Sequence, residues 1–173
     1  MFFDEFGFSF QESVGHTWAP RGERPVLRRV TRERRGLSTA VGLTLSGKIY
    51  KRHFKGGMKS AQVIEALRHV QRHLPGRLIL IWDSAKIHIS GETKAFLAHH
   101  PEIIVEPLPP YAPDLNPEEY CHGNVKRHLK NATPADTQEV RTLLDRGFAR
   151  LRGRPDMLLH FIHHAGLSVR QLW

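Results

Sequence analysis

A mixed α/β fold is what this sequence predicts, and three observations predict it. Three strand-like segments follow one another at the start of the chain, which favours antiparallel neighbours. A helix–strand–helix–strand alternation comes next, and helical segments close the chain. The stretch LILIW, residues 78–82, is continuously apolar, as suits a strand buried on both faces and paired in parallel through a helical crossover.

The elements follow in order. Residues 1–10 read as a Phe-rich strand broken by Gly7. Residues 37–45 (LSTAVGLTL) and 48–55 (KIYKRHFK) are strands separated by Ser46-Gly47, a hairpin turn. Across 60–74, Val63, Ile64, Leu67, Val70 and Leu74 recur at helical spacing, with Ser60 as the expected N-cap and Pro75-Gly76 as the stop. After the strand at 78–82 come a short helix over 91–100, a strand over 103–108 and a Pro-rich stretch, 109–117, without regular structure. Helices are expected from Pro117 to about Lys130, from 136 to 152 on the face Val140, Leu143, Leu144, Phe148 and Leu151, and over 155–165. No internal repeat or linker interrupts the 173 residues, so a single domain over 1–173 is expected.

Composition narrows the partners. Lys and Arg number 26 against 17 Asp and Glu, a net charge of +9, and a polyanion is the economical expectation. The single cysteine, Cys121, excludes an intramolecular disulfide and a multi-cysteine zinc site. No apolar run approaches the roughly 20 residues of a membrane span, and the first residues lack the features of a signal peptide. An intracellular, cytoplasmic protein with no membrane partner is expected.

Three carboxylates stand out against this basic background. Asp4 closes the apolar opening MFFD, Asp83 closes LILIWD, and Glu119 lies in LPPYAPDLNPEEY, a loop feeding a helix. Acids at the ends of buried strands are costly unless they bind something, and open α/β sheets place ligands at the carboxyl ends of their strands. Hard divalent cations prefer oxygen, and a pair of magnesium (or manganese) ions about 3.5–4 Å apart neutralises both oxygens of an in-line phosphoryl transfer. Three carboxylates suffice if one bridges, and Asp4 is the natural bridge.

Each acid has a plainer reading. Asp4 could start a turn, with Glu5 pointing to the opposite strand face. Asn116, Pro117 and Glu119 also spell a capping box. Helical phase separates the two adjacent glutamates: Glu119 shares a face with Gly123, Lys126 and Lys130, whereas Glu118 points toward Cys121, Val125 and Leu129. An acid followed by lysines on one face reads as a metal site beside a phosphate track, so Glu119 is the third candidate.

Residues 21–35 hold seven arginines against Glu23 and Glu33, for a net charge of +5, with Trp18 just before them. Such a segment tracks a phosphate backbone without reading bases. Arg28, Arg29, Arg32, Arg34, Arg35, Lys126 and Lys130 are therefore the candidate DNA contacts. His160, His163 and His164 have no acid or cysteine at zinc-site spacing. His88, five residues after Asp83, is expected to order the loop there.

Taken together, FFDEFGFSF, TWAPRGERP, LILIWDSAKIHIS and LPPYAPDLNPEEYCHGNVKRHL resemble, in order and over nearly the whole chain, the catalytic domain of DDE transposases of the mariner superfamily, in its bacterial insertion sequence 630 branch. The resemblance implies a ribonuclease-H-like fold, a central five-stranded mixed sheet with helices on both faces. It places the catalytic, metal-binding triad on Asp4, Asp83 and Glu119. It also implies cleavage at transposon ends, strand transfer into target DNA, and a homodimer on DNA. Ser84 stands where the family usually has Asn, and His122 where it has Trp. Only three residues precede Asp4, and the family's helix-turn-helix region is not in this sequence, so a separate helix-turn-helix polypeptide is an expected partner. A nuclease that cuts without joining, or an inactive DNA-binding remnant, are the alternatives.

Overall fold

The computed structural model describes residues 1–10, 16, 18–26 and 36–167. Five strands, β1 (Phe2–Phe8), β2 (Leu37–Leu43), β3 (Ile49–Lys55), β4 (Leu78–Trp82) and β5 (Ile103–Pro107), form one sheet in the order β3-β2-β1-β4-β5. The first three pair antiparallel, while β4 runs parallel to both β1 and β5, so the sheet is mixed as the element order predicts. The helices are α1 (Ser60–His73), α2 (Gly91–Ala98), α3 (Pro117–Leu129), α4 (Thr137–Arg152) and α5 (Pro155–His164).

Alternation along the strands splits the apolar residues into two cores, one on each face. Phe6, Phe8, Val41, Leu43 and Ile49 pack against Val125 and Leu129 of α3, Leu144 and Phe148 of α4, and Leu158 and Ile162 of α5. On the other face Phe3, Ala40, Leu80 and Trp82 pack against Val63, Leu67 and Val70 of α1 and Phe96 of α2. Each fully buried Leu, Ile or Phe contributes roughly 1.5–3 kcal/mol, so α3 is pressed onto β1 in a fixed rotation.

Four local expectations change. Gly7 does not break β1; it pairs with Ser38 within a ladder that runs from Phe2 to Phe8. Asp4 consequently sits inside β1, opposite Val41, and not at a strand end. Ser60 is the first residue of α1 and Lys59 is the extended residue before it, its backbone N–H donating to Gln62 Oε1 at 3.0 Å. The Pro-rich stretch holds one 3₁₀ turn, Pro113–Leu115, whose Pro113 fits the first helical position.

Candidate active site

The parallel register brings the two aspartates together. Phe2 of β1 pairs with Ile81 of β4, and carrying that offset forward two residues sets Asp4 level with Asp83, just past the end of β4. Glu119, in the first turn of α3, is exposed toward the same space. A cleft of about 470 Å³ is lined by Asp4, Asp83 and Glu119, together with Ser84, Asn116 and the loop from Leu108 to Pro113.

Every carboxylate is held differently. Asp4 Oδ1 accepts the Glu5 backbone N–H at 2.7 Å, and its Oδ2 accepts the Asn116 side-chain amide at 2.7 Å. Burial, with the charges of Glu5, Glu119 and Asp83 adding to it, raises the Asp4 pKa from 3.8 to about 7. Asp83 Oδ1 accepts the Ala85 N–H at 2.9 Å and lies 2.8 Å from His88 Nδ1. Glu119 carries no hydrogen bond or ion pair from its carboxylate among the described residues, and the capping-box reading fails because Asn116 caps α3 through the Glu118 N–H at 3.1 Å without a return bond from Glu119.

Three hard oxygen donors on one cleft fit divalent cations better than any softer metal. Among the described residues no three His, Cys, Asp or Glu side chains are gathered into a ligand cluster. Burial accounts for most of the raised Asp4 pKa, and the charges of Glu5, Glu119 and Asp83 add a negative field that would favour a cation.

The helical-phase argument holds for the adjacent glutamate. Glu118 is fully buried beside Cys121, and burial, with the charge of Asp4 adding to it, raises its pKa well above the carboxylate range. Burial first, and then Lys126, lowers the His122 pKa to about 3. His122 Nε2 lies 3.8 Å from Glu118 Oε2, and among the described residues neither Glu118 oxygen nor that nitrogen has a hydrogen-bond partner. Burial thus disfavours the charged form of both side chains.

On the far side of β1, Glu5 accepts from His88 Nε2 at 2.8 Å, a contact that sequence reading did not foresee. Burial disfavours the His88 cation, but the hydrogen bond and charge of Glu5, with Asp83, outweigh it and the pKa is raised. The Asn116–Asp4 bond was likewise hidden, since 112 residues separate the partners. Tyr111, fully exposed with φ +56°, stands at the cleft rim on the Pro-rich loop.

Of the candidate DNA contacts, Lys126 and Lys130 are exposed on the α3 side that carries Glu119, with Lys126 Nζ 5.5 Å from the centre of the Phe6 ring. Arg28, Arg29, Arg32, Arg34 and Arg35 lie outside the described residues.

The family profile described as DDE superfamily endonuclease matches residues 1–141. The chain belongs to this family. No curated protein matches it significantly. Solved structures similar to this DDE superfamily endonuclease include the Mos1 mariner paired-end complex with Mn, at 22% identity and a TM-score of 0.66, covering 98% of this chain and 56% of that one. The catalytic domain of Mos1 mariner transposase matches at 20% identity and a TM-score of 0.57, covering 98% and 83%. A simian T-cell lymphotropic virus intasome in complex with PP2A regulatory subunit B56 gamma matches at 18% identity and 0.55, covering 83% and 45%. The fold is therefore ribonuclease-H-like. This DDE superfamily endonuclease spans about 56% of the transposase chain in the paired-end complex. Among the described residues no helix is long and apolar enough to cross a membrane.

Proposed function

We propose that this domain is the catalytic part of a metal-dependent DNA transposase that cleaves phosphodiester bonds at transposon ends and joins the freed ends to target DNA. One observation carries the reading: Asp4, Asp83 and Glu119, from β1, the end of β4 and the start of α3, line one cleft on a strongly basic chain. Asp4, Asp83 and Glu119 would hold two magnesium or manganese ions. Such ions supply charge neutralisation at the attacking and leaving oxygens and activate the attacking hydroxyl or water.

The chain's own contribution is positioning. Asn116 fixes the rotation of Asp4 and, as the N-cap of α3, the height at which Glu119 leaves the helix. Ala85 holds one oxygen of Asp83. The exposed Lys126 and Lys130 extend from Glu119 along α3, where they would take phosphates of the bound strand, and Arg28, Arg29, Arg32, Arg34 and Arg35 would take others. Pairing of two ends implies a homodimer on DNA, and recognition of those ends implies a helix-turn-helix.

A labelled terminal-repeat duplex incubated with the protein, with and without magnesium or manganese, tests the reading. Cation-dependent cleavage followed by joined strands is expected, and Asp83→Asn and Glu119→Gln should abolish both. Nicks without joined products would support a simple nuclease instead. DNA binding with no cleavage under any cation, with or without a helix-turn-helix partner, would identify a remnant.

A further inference from the structure

Glu5 and His88 occupy the far side of β1 from the cleft, yet they reach Asp83. Alternation along β1 turns Asp4 toward α3 and sends Glu5 the other way. Both oxygens of Glu5 face His88 Nε2, at 2.8 and 3.1 Å. The His88 side chain is completely buried and lies flat on Trp82, with ring centres 4.2 Å apart and planes 4° from parallel; the Phe3 ring meets it edge-on at 6.5 Å. Its other nitrogen, Nδ1, donates to the Asp83 carbonyl at 3.0 Å and sits 2.8 Å from Asp83 Oδ1. Each ring nitrogen thus faces acceptors, and the ring cannot turn.

Ordering the loop does not by itself require this arrangement. Residues 83–90 have separate fastenings: the His88 and Ile89 N–H groups donate to the Ala85 carbonyl at 2.9 and 3.2 Å, and Thr93 Oγ1 donates to the Ile87 carbonyl at 2.7 Å. What the buried pair adds is control over Asp83, whose side chain is 55% exposed and lies beyond the last sheet bond of β4.

We propose that Glu5 and His88 form a buried tether that sets the Asp83 carboxylate at the cleft, making His88 and Glu5 positioning residues for the reaction. The inference rests on the proposed two-ion function. Consecutive residues of one strand then govern two aspartates: Asp4 faces the cleft directly, and Glu5 reaches Asp83 through His88. The ladder of β1 thereby reaches both aspartates, with the Ala85 N–H holding the same Asp83 oxygen from the loop side.

The test is manganese affinity by calorimetry, with cleavage kinetics on a terminal-repeat duplex beside it. Outer-shell changes typically weaken metal binding by about tenfold to a hundredfold, and Glu5→Ala and His88→Phe should each do so. His88→Phe keeps a ring on Trp82 but has no N–H, and if only one of the two variants folds, its affinity decides. The double variant should be no worse than the weaker single, because both act through one path. Glu5→Gln keeps an acceptor for His88 and should retain most of the affinity. Reduced kcat with unchanged KM for DNA is expected in the affected variants. Thr93→Val removes a fastening of the same loop without touching Asp83 and should bind manganese as wild type does. Wild-type affinity in Glu5→Ala or His88→Phe overturns the tether, as does an equal loss in Thr93→Val. A wild-type protein that binds no manganese, and so resembles Asp83→Asn, overturns the two-ion reading and the tether with it.

Discussion

Replacing Asp4 by Asn in the cation-free protein should change stability with a sign that depends on pH. The Asp4 pKa is raised from 3.8 to about 7, mainly by burial, so between those values the folded protein holds a proton that the unfolded chain has released. Stability therefore falls as pH rises through that window, and the penalty is fully present above it and absent below it. A shift of about three units, at about 1.4 kcal/mol each, amounts to roughly 4 kcal/mol, and the side chain is only 14% exposed, so solvent screening removes little of it. Asn cannot ionise, but it offers one acceptor where Asp4 uses two oxygens, toward Glu5 N–H and Asn116, at a loss of about 1 kcal/mol. Asp4→Asn should thus stabilise by about 3 kcal/mol near pH 8.5 and destabilise by about 0.5 kcal/mol near pH 4, where roughly half a kcal/mol of the penalty remains. Urea denaturation with a chelator present, at both pH values, reads the difference directly. Added magnesium should raise wild-type stability at the higher pH and do less for the variant. The same sign at both pH values would refute the account of burial and mutual repulsion at this carboxylate.

Three further outcomes follow from the start of α3. Glu119→Gln should lower the cleavage rate by about a hundredfold or more while shifting unfolding by less than about 0.5 kcal/mol, since the side chain is exposed; single-turnover kinetics and thermal melts check the two halves. Glu118→Leu should stabilise by about 1–3 kcal/mol in urea titrations, because it removes a fully buried carboxyl whose nearest polar neighbours are the weak donor Cys121 and His122 at 3.8 Å. Asn116→Ala should cost about 1–2 kcal/mol, through the lost cap of α3, and should also weaken cation-induced stabilisation in the same titrations through the lost bond to Asp4.

What could be read from the sequence was whatever has a short period. Strand and helix boundaries came from spacing, and the rotation of α3 followed from placing Cys121, Val125 and Leu129 inside, which by itself sends Glu119 outward and Glu118 inward. Asp83 was legible because an acid directly after an apolar run leaves few alternatives. Asp4 does line the cleft, but its setting differs from the expected strand end: the ladder with β2 continues through Gly7, a fact held by residues some 30 positions away. Asn116 to Asp4 and Glu5 to His88 were out of reach for the same reason, because a side-chain contact across 112 or 83 residues leaves no periodic trace.

The buried Glu118 and the paired Glu5 also bear on why three acids, and not five, face the cleft. Five carboxylates lie on β1, just past β4 and at the start of α3: Asp4, Glu5, Asp83, Glu118 and Glu119. Burial disfavours the charge on Glu118, and Glu5 is hydrogen-bonded to His88 away from the cleft, so neither carboxylate faces the site. That leaves Asp4, Asp83 and Glu119, whose charge together with one phosphodiester would match two divalent cations. A site with all five acids free would hold excess negative charge and repel DNA, and a site with only two would leave the proposed ion pair undercompensated. On this argument the rotation of α3 has a consequence beyond packing: a turn that carried Glu118 into the exposed place of Glu119 would free the charge that the fold now conceals.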